Sequence, residues 1–223
     1  MSDMQIGVGQ MGNSRLAVLD HLVQILAADR PTISVLEVGS YEGGSALALS
    51  QSIMRHCSQG GTVLCIDPWK PYLPVEDVEQ NPTCAAMQAD LASGAVFERF
   101  LNNIKLADSQ APIKYMVGTL KQNLHLLAVD SFDFACIDGS HIFDDVFSDI
   151  TLAKALVRPG GIMCGDDLEV QFPDALDCIQ YKDREYVNGF HPGVTIAVWE
   201  HFGRVWCDSG VWAVHRRREW GHL

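Results

Sequence analysis

Residues 33–45 read ISVLEVGSYEGGS, an apolar run that stops at a glycine-rich turn. The run is dense in branched residues, which is typical of a strand buried on both faces in a parallel sheet. Glycines at positions 39, 43 and 44 allow the backbone to turn sharply and to approach a ligand closely. The stretch therefore predicts a buried strand, a tight ligand-binding turn and the start of a helix.

Strands and helices alternate along the rest of the chain. Apolar residues at helical spacing predict helices over residues 14–28, 44–57, 84–107, 120–128, 142–157 and 192–203. Short apolar runs that end at glycine or aspartate predict strands over residues 33–40, 62–69, 113–119, 132–140, 161–168, 204–208 and 211–216. This alternation predicts an α/β fold, a Rossmann-like doubly wound, mostly parallel seven-stranded sheet with an antiparallel edge hairpin.

Two long segments interrupt the alternation, at residues 70–111 and 169–191. Each follows the end of a strand, where open α/β sheets bind their ligands, and we expect both segments to form lids. The sequence has no linker and no internal repeat. Residues 1–223 are therefore predicted to form a single domain, with an N-terminal helical arm over residues 1–30.

Composition excludes several classes of partner. The formal net charge of -12 argues against nucleic acid, because binding a phosphate backbone requires clustered Lys and Arg. No run approaches the ~20 apolar residues of a membrane helix. The 7 cysteines are scattered, odd in number and without a C-x-x-C pair, so that neither disulfides nor a zinc site is indicated. We expect a cytoplasmic protein, and its edge hairpin is compatible with a homo-oligomer.

The sequence contains two glycine motifs that imply different cofactors. Residues 7–12, GVGQMG, have the spacing G-x-G-x-x-G, and with Glu37 as a ribose ligand they would indicate a nicotinamide-dependent oxidoreductase. That motif requires a buried strand before it, and only MSDMQI precedes it. The motif of residues 37–45 does follow a strand, and Asp67 ends the next strand, where it can accept hydrogen bonds from a ribose diol.

A series of motifs resembles one known family. EVGSYEGGS, IDPW, VGTL, IDGSH and GGIMCGDD, in this order, resemble the class I S-adenosylmethionine-dependent methyltransferases. The Gly-x-Tyr-x-Gly form is similar to their metal-dependent, catechol-type O-methyltransferase branch, and the resemblance extends from about residue 33 to residue 216. It implies methyl transfer to a hydroxyl of a small molecule, such as a sugar, an antibiotic intermediate or a phenol. A non-catalytic cofactor-binding protein is the remaining alternative.

The resemblance also implies the residues that bind S-adenosylmethionine. The methionine portion and the ribose would be surrounded by Gly39, Ser40, Tyr41, Gly43, Gly44 and Ser45. Glu37 would support the loop or the amino-acid end of the cofactor, and Asp67 would hold the ribose hydroxyls. The adenine would lie near Gly118, Thr119 and Leu120. Trp69, which follows Asp67 closely, is expected to flank the adenine, and Asp138 is assigned to the cofactor site as well.

Three carboxylates follow two strands that we expect to be neighbours. Asp138 ends one strand and the pair Asp166 and Asp167 ends the next, so that the three side chains should converge at one edge of the sheet. Unpaired carboxylates would repel one another and resist ionisation. A divalent cation resolves that conflict, and oxygen ligands favour Mg²⁺, with Mn²⁺ or Ca²⁺ as substitutes. The family resemblance agrees with this metal site.

His141 lies three residues after Asp138 and can reach the same edge of the sheet. A neutral imidazole near pH 7 is a suitable acceptor for the proton of a hydroxyl, and we therefore predict His141 to be the catalytic base. In the catechol-type branch this position carries a lysine. The metal would lower the pKa of the substrate hydroxyl and fix its position opposite the methyl group.

Overall fold

One mixed sheet of eight strands lies at the centre of the computed structural model, which describes residues 11–174, 176–217 and 220–222. The strands are β1 Ile33–Val38, β2 Gly61–Asp67, β3 Ile113–Val117, β4 Phe132–Ile137, β5 Val157–Gly165, β6 Trp206–Asp208, β7 Val211–Arg216 and β8 Trp220–His222. Their order is β3-β2-β1-β4-β5-β7-β6, with β8 beside β7. Strands β1 to β5 pair in parallel, and the last three pair antiparallel. The predicted sheet and edge hairpin are confirmed, and β8 is an additional strand that the sequence did not predict.

Helices cover both faces of this sheet. They are α1 Asn13–Ala27, α2 Gly44–His56, α3 Val75–Gln80, α4 Pro82–Ser93, α5 Ala95–Asn103, α6 Leu120–Asn123, α7 Phe143–Leu156 and α8 Pro192–Phe202. Short 3-10 helices occupy Ile104–Leu106, Leu124–Leu126 and Leu176–Tyr181. Within the described part of the chain, none of the helices has the length and apolarity required to span a membrane.

The alternation of side chains along each strand divides the core into two layers. Ile33 and Val35 of β1 face the layer formed by helices α1, α2, α4 and α5. Leu36 and Val38 face the opposite layer, formed by helices α6, α7 and α8. Because a strand directs successive residues to opposite faces, an apolar run without polar alternation is required when both faces are covered.

The prediction of one helix over residues 84–107 is wrong in one respect, because the helix is interrupted at Gly94. Gly94 has φ +80, ends α4 by donating its N–H to the Leu91 carbonyl, and begins α5. Glycine adopts this left-handed conformation readily, which explains why the break occurs there. The break allows Phe100 of α5 to be fully buried in the core.

The predicted helix over residues 120–128 is also shorter than expected. It begins with a capping box, in which the Thr119 hydroxyl accepts from the Gln122 amide and the Gln122 side chain accepts from the Thr119 amide. After Asn123 the chain tightens into the 3-10 helix Leu124–Leu126. The cap places Thr119 at the end of the sheet where the parallel strands terminate.

The two segments that interrupt the alternation are bonded to each other. Asp77 of the first segment is buried and accepts hydrogen bonds from Arg184 Nε at 2.8 Å and from the Glu185 amide at 3.0 Å. The Tyr72 hydroxyl donates to Glu185 Oε1 at 3.4 Å. Both segments therefore stand together over the carboxyl ends of the parallel strands, and their action as lids stays a prediction.

Candidate active site

A cavity of about 500 Å³ opens at the carboxyl ends of β1, β2, β4 and β5. This volume lies within the range of roughly 300–1,000 Å³ that is usual for small-molecule sites. Nine of the predicted site residues line the cavity: Gly39, Tyr41, Asp67, Thr119, Leu120, Asp138, His141, Asp166 and Asp167. The cavity therefore brings together the predicted cofactor loop and the predicted metal ligands.

The glycine loop between β1 and α2 packs closely against the end of β4. Gly39 has φ +81, and a Cβ atom added there would lie 2.1 Å from the carbonyl oxygen of Asp138. Tyr41 has φ +44, an unusual conformation for a residue with a side chain. Only glycine can occupy position 39, because both the backbone conformation and the contact with Asp138 exclude a side chain.

Asp67 fixes the shape of this loop. Its Oδ2 accepts the amides of Ser40 at 2.9 Å and Tyr41 at 3.0 Å, and its Oδ1 accepts the amide of Trp69 at 2.6 Å. Burial raises the pKa of Asp67 above its usual value, although the three amides oppose the rise. A carboxylate can accept about four hydrogen bonds, so one acceptor position remains for a ligand in the cavity.

Glu37 bonds to the glycine loop through Ser40 and does not line the cavity. It is fully buried, accepts the Ser40 hydroxyl at 2.6 Å, and accepts the Cys65 thiol at 3.4 Å. Burial raises the pKa of Glu37 to about 7, against the effect of the hydrogen bonds that it accepts. Gly43, Gly44 and Ser45 form the start of α2, and Gly118 precedes α6; these residues also lie outside the lining.

Trp69 packs against the glycine loop, and its contact with the adenine stays a prediction. Its ring is buried and packs against Phe97 and Phe100, with ring centroids 4.7 and 4.5 Å apart. Its Nε1 donates to the Tyr41 carbonyl at 2.8 Å. Trp69 is absent from the described lining of the cavity, and in this structure it supports the glycine loop.

The three predicted carboxylates do converge. Asp138 follows β4, while Asp166 and Asp167 follow β5, and one oxygen of each lies within 4.8 Å of the others. Asp166 and Asp167 are buried, and Asp138 is partly exposed. Burial, together with the charges of Asp138 and Asp167, raises the pKa of Asp166 to about 8, although Arg15 opposes the rise.

Arg15 of α1 neutralises part of this cluster, although no sequence motif indicated this residue. Its Nη1 donates to Asp166 Oδ2 and to Asp167 Oδ1, each at 2.7 Å. Its Nε donates to the Ser209 carbonyl at 3.1 Å. One signal was available, because a cation in the first turn of a helix opposes the helix dipole and therefore requires other partners.

His141 lies among carboxylates on two sides. Its Nδ1 is 2.7 Å from Glu185 Oε1, and its Nε2 is 3.0 Å from Asp167 Oδ2 and 4.0 Å from Asp138 Oδ1. Burial by itself would lower the pKa of His141, but Glu185, Asp138 and Asp167 outweigh burial and raise it well above its usual value. Without an added cation these carboxylates favour the protonated imidazole, and the role of His141 as the base stays a prediction.

His191 and Glu185 complete the mouth of the cavity. His191 precedes α8, and its Nδ1 lies 3.1 Å from Glu169 Oε1 and 3.7 Å from Asp167 Oδ1. Its ring centroid is 4.5 Å from that of His141. Glu185 is buried and lies in the aperiodic segment 169–191, where no sequence pattern indicated its role.

Most of the competing motif GVGQMG lies outside the described residues. Its residues 7–10, and the strand that it would require at residues 2–7, lie outside the described residues. Met11 and Gly12 are described; Gly12 precedes α1, and Met11 lines the cavity. The oxidoreductase alternative therefore gains no support from the described part of the chain.

Comparison with known proteins identifies a family. Residues 36–168, more than half of the chain, match the family model described as a methyltransferase domain. No curated protein sequence matches the chain. The structure of the O-methyltransferase NovP is similar with a TM-score of 0.64 and 18% identity, covering 94% of this chain and 82% of NovP.

Two further solved structures are less similar. TomG from Streptomyces achromogenes, an O-methyltransferase involved in tomaymycin synthesis and solved with SAM, has a TM-score of 0.48 and 17% identity over 87% of this chain and 70% of its own. CalS11, a TDP-rhamnose 3'-O-methyltransferase, has a TM-score of 0.49 and 12% identity over 90% and 77%. At 18% identity, the similarity to NovP shows the fold alone.

Proposed function

The chain belongs to the methyltransferase-domain family, as a class I S-adenosylmethionine-dependent enzyme, and from that premise we propose that it methylates a hydroxyl of a small molecule with the help of a divalent cation. The observation that carries this proposal is the meeting of two features in one cavity. The glycine loop and Asp67 line one part, and the carboxylates of Asp138, Asp166 and Asp167 line another. A purely cofactor-binding protein would not require the carboxylate trio.

The cofactor would be held by the glycine loop and its neighbours. Asp67 retains an acceptor position toward the cavity, which suits a ribose hydroxyl, and Thr119 and Leu120 line the cavity where adenine is expected. We propose that Gly39, Ser40 and Tyr41 shape the loop around the methionine portion, with Glu37, Gly43, Gly44, Ser45, Trp69 and Gly118 supporting it. When bound, S-adenosylmethionine supplies an electrophilic methyl group.

The carboxylate cluster fits a hard divalent cation on chemical grounds. Three carboxylate oxygens within 4.8 Å of one another are the ligand type that Mg²⁺, Mn²⁺ and Ca²⁺ prefer. Burial and the charges of Asp138 and Asp167 raise the pKa of Asp166 to about 8 despite Arg15, and a nearby cation would favour the ionised form of this carboxyl. Arg15 Nη1 occupies one oxygen each of Asp166 and Asp167, so a cation would compete with Arg15 for the charge of these two carboxylates. A cation there supplies positive charge that makes a nearby hydroxyl more acidic.

His141 is the base that we propose, with its activity conditional on the charge of the cluster. A cation held by Asp138 and Asp167 would offset part of the negative charge beside His141, to which Glu185 also contributes. It would thereby favour the neutral ring, whose Nε2 can accept the proton of the substrate hydroxyl. Glu185 holds Nδ1 at 2.7 Å and thereby fixes the orientation of the ring. Alignment of the hydroxyl with the methyl group then supplies most of the remaining acceleration.

The acceptor pocket that we propose lies between the two interrupting segments. Tyr72, Met87 and Leu91 from the first and Tyr186 from the second line the same cavity as the carboxylates. Aromatic and aliphatic walls suit a small organic acceptor, and they suit an extended, highly charged polymer poorly. NovP, which is described as an O-methyltransferase, has a similar fold and agrees with a hydroxyl acceptor.

Calorimetric titration with S-adenosylmethionine tests the proposal, run once with Mg²⁺ and once with EDTA. We expect micromolar binding, weakened by about 10–100-fold in Asp67→Asn, which is the usual effect of losing hydrogen bonds to a charged group. Asp108→Asn, which changes an exposed aspartate elsewhere on the chain, serves as the matched control and should bind as the wild type does. Absence of binding under both conditions would overturn the proposed function.

A further inference from the structure

A second group of metal ligands lies beside the three carboxylates. His141, Asp167 and His191 each offer one ligand atom, and these atoms lie within 4.8 Å of one another. The group shares Asp167 with the carboxylate cluster but otherwise presents nitrogen instead of oxygen. Imidazole nitrogen favours Zn²⁺ and other first-row transition metals, whereas oxygen-only sites favour Mg²⁺.

His141 has the arrangement that is usual for a metal-binding histidine. Its Nδ1 faces the buried Glu185 at 2.7 Å, and its Nε2 is buried without an aligned hydrogen-bond partner. The nearest carboxylate oxygen to that Nε2, Asp167 Oδ2, is at 3.0 Å. Metal-binding histidines commonly bond their second nitrogen to a carboxylate, which fixes the tautomer and directs the free nitrogen at the metal.

His191 lies beside the other carboxylate oxygen of Asp167 from His141, at the start of a different helix. It precedes α8, its ring centroid lies 4.5 Å from that of His141, and its Nδ1 is 3.7 Å from Asp167 Oδ1. Glu169 lies 3.1 Å from the same Nδ1 and offers a fourth oxygen. Ligands of a tetrahedral zinc ion at about 2.0–2.2 Å are about 3.3 Å apart, so these separations require only small side-chain movements.

We propose that His141, Asp167 and His191 form a second metal site, selective for a borderline-soft divalent cation such as Zn²⁺. Because Asp167 serves both sites, a cation at the histidines competes with the one at the carboxylates for that ligand. On the function proposed above, it also occupies the nitrogen with which His141 would accept the substrate proton. Such a cation therefore inhibits methyl transfer while S-adenosylmethionine still binds.

Titration with Co²⁺ in excess Mg²⁺ tests the site without a requirement for turnover. Four-coordinate Co²⁺ has a distinctive visible absorption, and we expect one such ion per wild-type chain. His191→Ala should weaken its binding by at least about tenfold, and so should Glu185→Gln, which leaves all three ligands in place. His201→Ala is the matched control, because this histidine packs on Phe147 and does not line the cavity.

Two results would overturn the second site: equal Co²⁺ affinity in wild type and His191→Ala, or complete displacement of Co²⁺ by Mg²⁺. Calorimetry with S-adenosylmethionine on the same preparations separates this failure from that of the proposed function. Cofactor binding without the Co²⁺ spectrum removes only the second site, whereas the spectrum without cofactor binding removes the proposed function. With an acceptor in hand, Zn²⁺ should inhibit the wild type more strongly than His191→Ala.

Discussion

Replacement of Arg15 by alanine should destabilise the protein when no metal is present. The Arg15 guanidinium donates to Asp166 and Asp167 at 2.7 Å, and the two carboxylates are buried. Removal of one partner from a buried ion pair costs about 3–5 kcal/mol. Because the Arg15 side chain retains 22% exposure, we expect the lower end, about 3 kcal/mol. For a chain of this size, the melting temperature should fall by about 6–12 °C in EDTA.

The same substitution should strengthen metal binding. In the wild type, a cation at the three carboxylates competes with Arg15, which already donates to Asp166 and Asp167. A cost of about 3 kcal/mol corresponds to an affinity lowered by about 100-fold. Arg15→Ala is spared that cost, so it should bind Mn²⁺ up to about 100-fold more tightly than the wild type and regain more thermal stability when Mn²⁺ is added.

Thermal unfolding with EDTA and with Mn²⁺, combined with calorimetric titration of Mn²⁺, provides the assay. Arg204→Ala is the matched control, because its ion pair with Asp174 is exposed at 57% and 59% and should contribute no more than about 1 kcal/mol. If Arg15→Ala melts like the wild type in EDTA and binds Mn²⁺ with unchanged affinity, the argument that Arg15 competes with a cation is refuted.

Three further predictions concern single substitutions. The pKa of Glu37 is raised to about 7 from an ordinary 4.5, so the native state keeps a proton that the unfolded state loses. The free energy of unfolding should therefore fall by up to about 3 kcal/mol as the pH rises between those values. Urea unfolding at several pH values should show that Glu37→Gln lacks this pH dependence. His141→Gln should lower turnover by about 10²–10⁴-fold without changing the affinity for S-adenosylmethionine; an unaltered rate would exclude His141 as the base. Gly39→Ala should lose far more stability than Gly94→Ala in thermal unfolding, because both have positive φ but only the Cβ at position 39 would meet the Asp138 carbonyl, at 2.1 Å; equal losses would contradict a role for that contact.

The central sheet was predictable because the chain repeats one local signal. Each parallel strand is an apolar run that stops at glycine or aspartate, and such runs have no alternation because both faces are covered. The break at Gly94 was not predictable in the same way. A glycine within a helical pattern is tolerated or ends the helix according to its packing partners, and those partners belong to other parts of the chain.

The candidate site likewise contains residues that the sequence indicated and residues that it did not. The convergence of Asp138 with Asp166 and Asp167 follows from the adjacency of β4 and β5, which the order of elements already indicated. Glu185 reaches His141 from 44 residues away, and no local pattern specifies that contact. The proximity of Trp69 to Asp67 in the sequence suggested a contact with the cofactor; its ring packs on Phe97 and Phe100, and the contact stays a prediction.

Three convergent carboxylates indicate a metal only where no other counter-ion neutralises them. Among the described residues, Arg15 contacts Asp166 and Asp167, and His141 and His191 lie beside Asp167. A divalent cation therefore replaces existing interactions instead of filling an uncompensated site, and its net affinity is the difference between the two. It follows that chelation should leave the protein folded, with Arg15 on the carboxylates and His141 protonated. Loss of metal would then leave His141 unable to accept a proton and would remove the positive charge beside the substrate hydroxyl. Methyl transfer should therefore fall while the fold and cofactor binding persist.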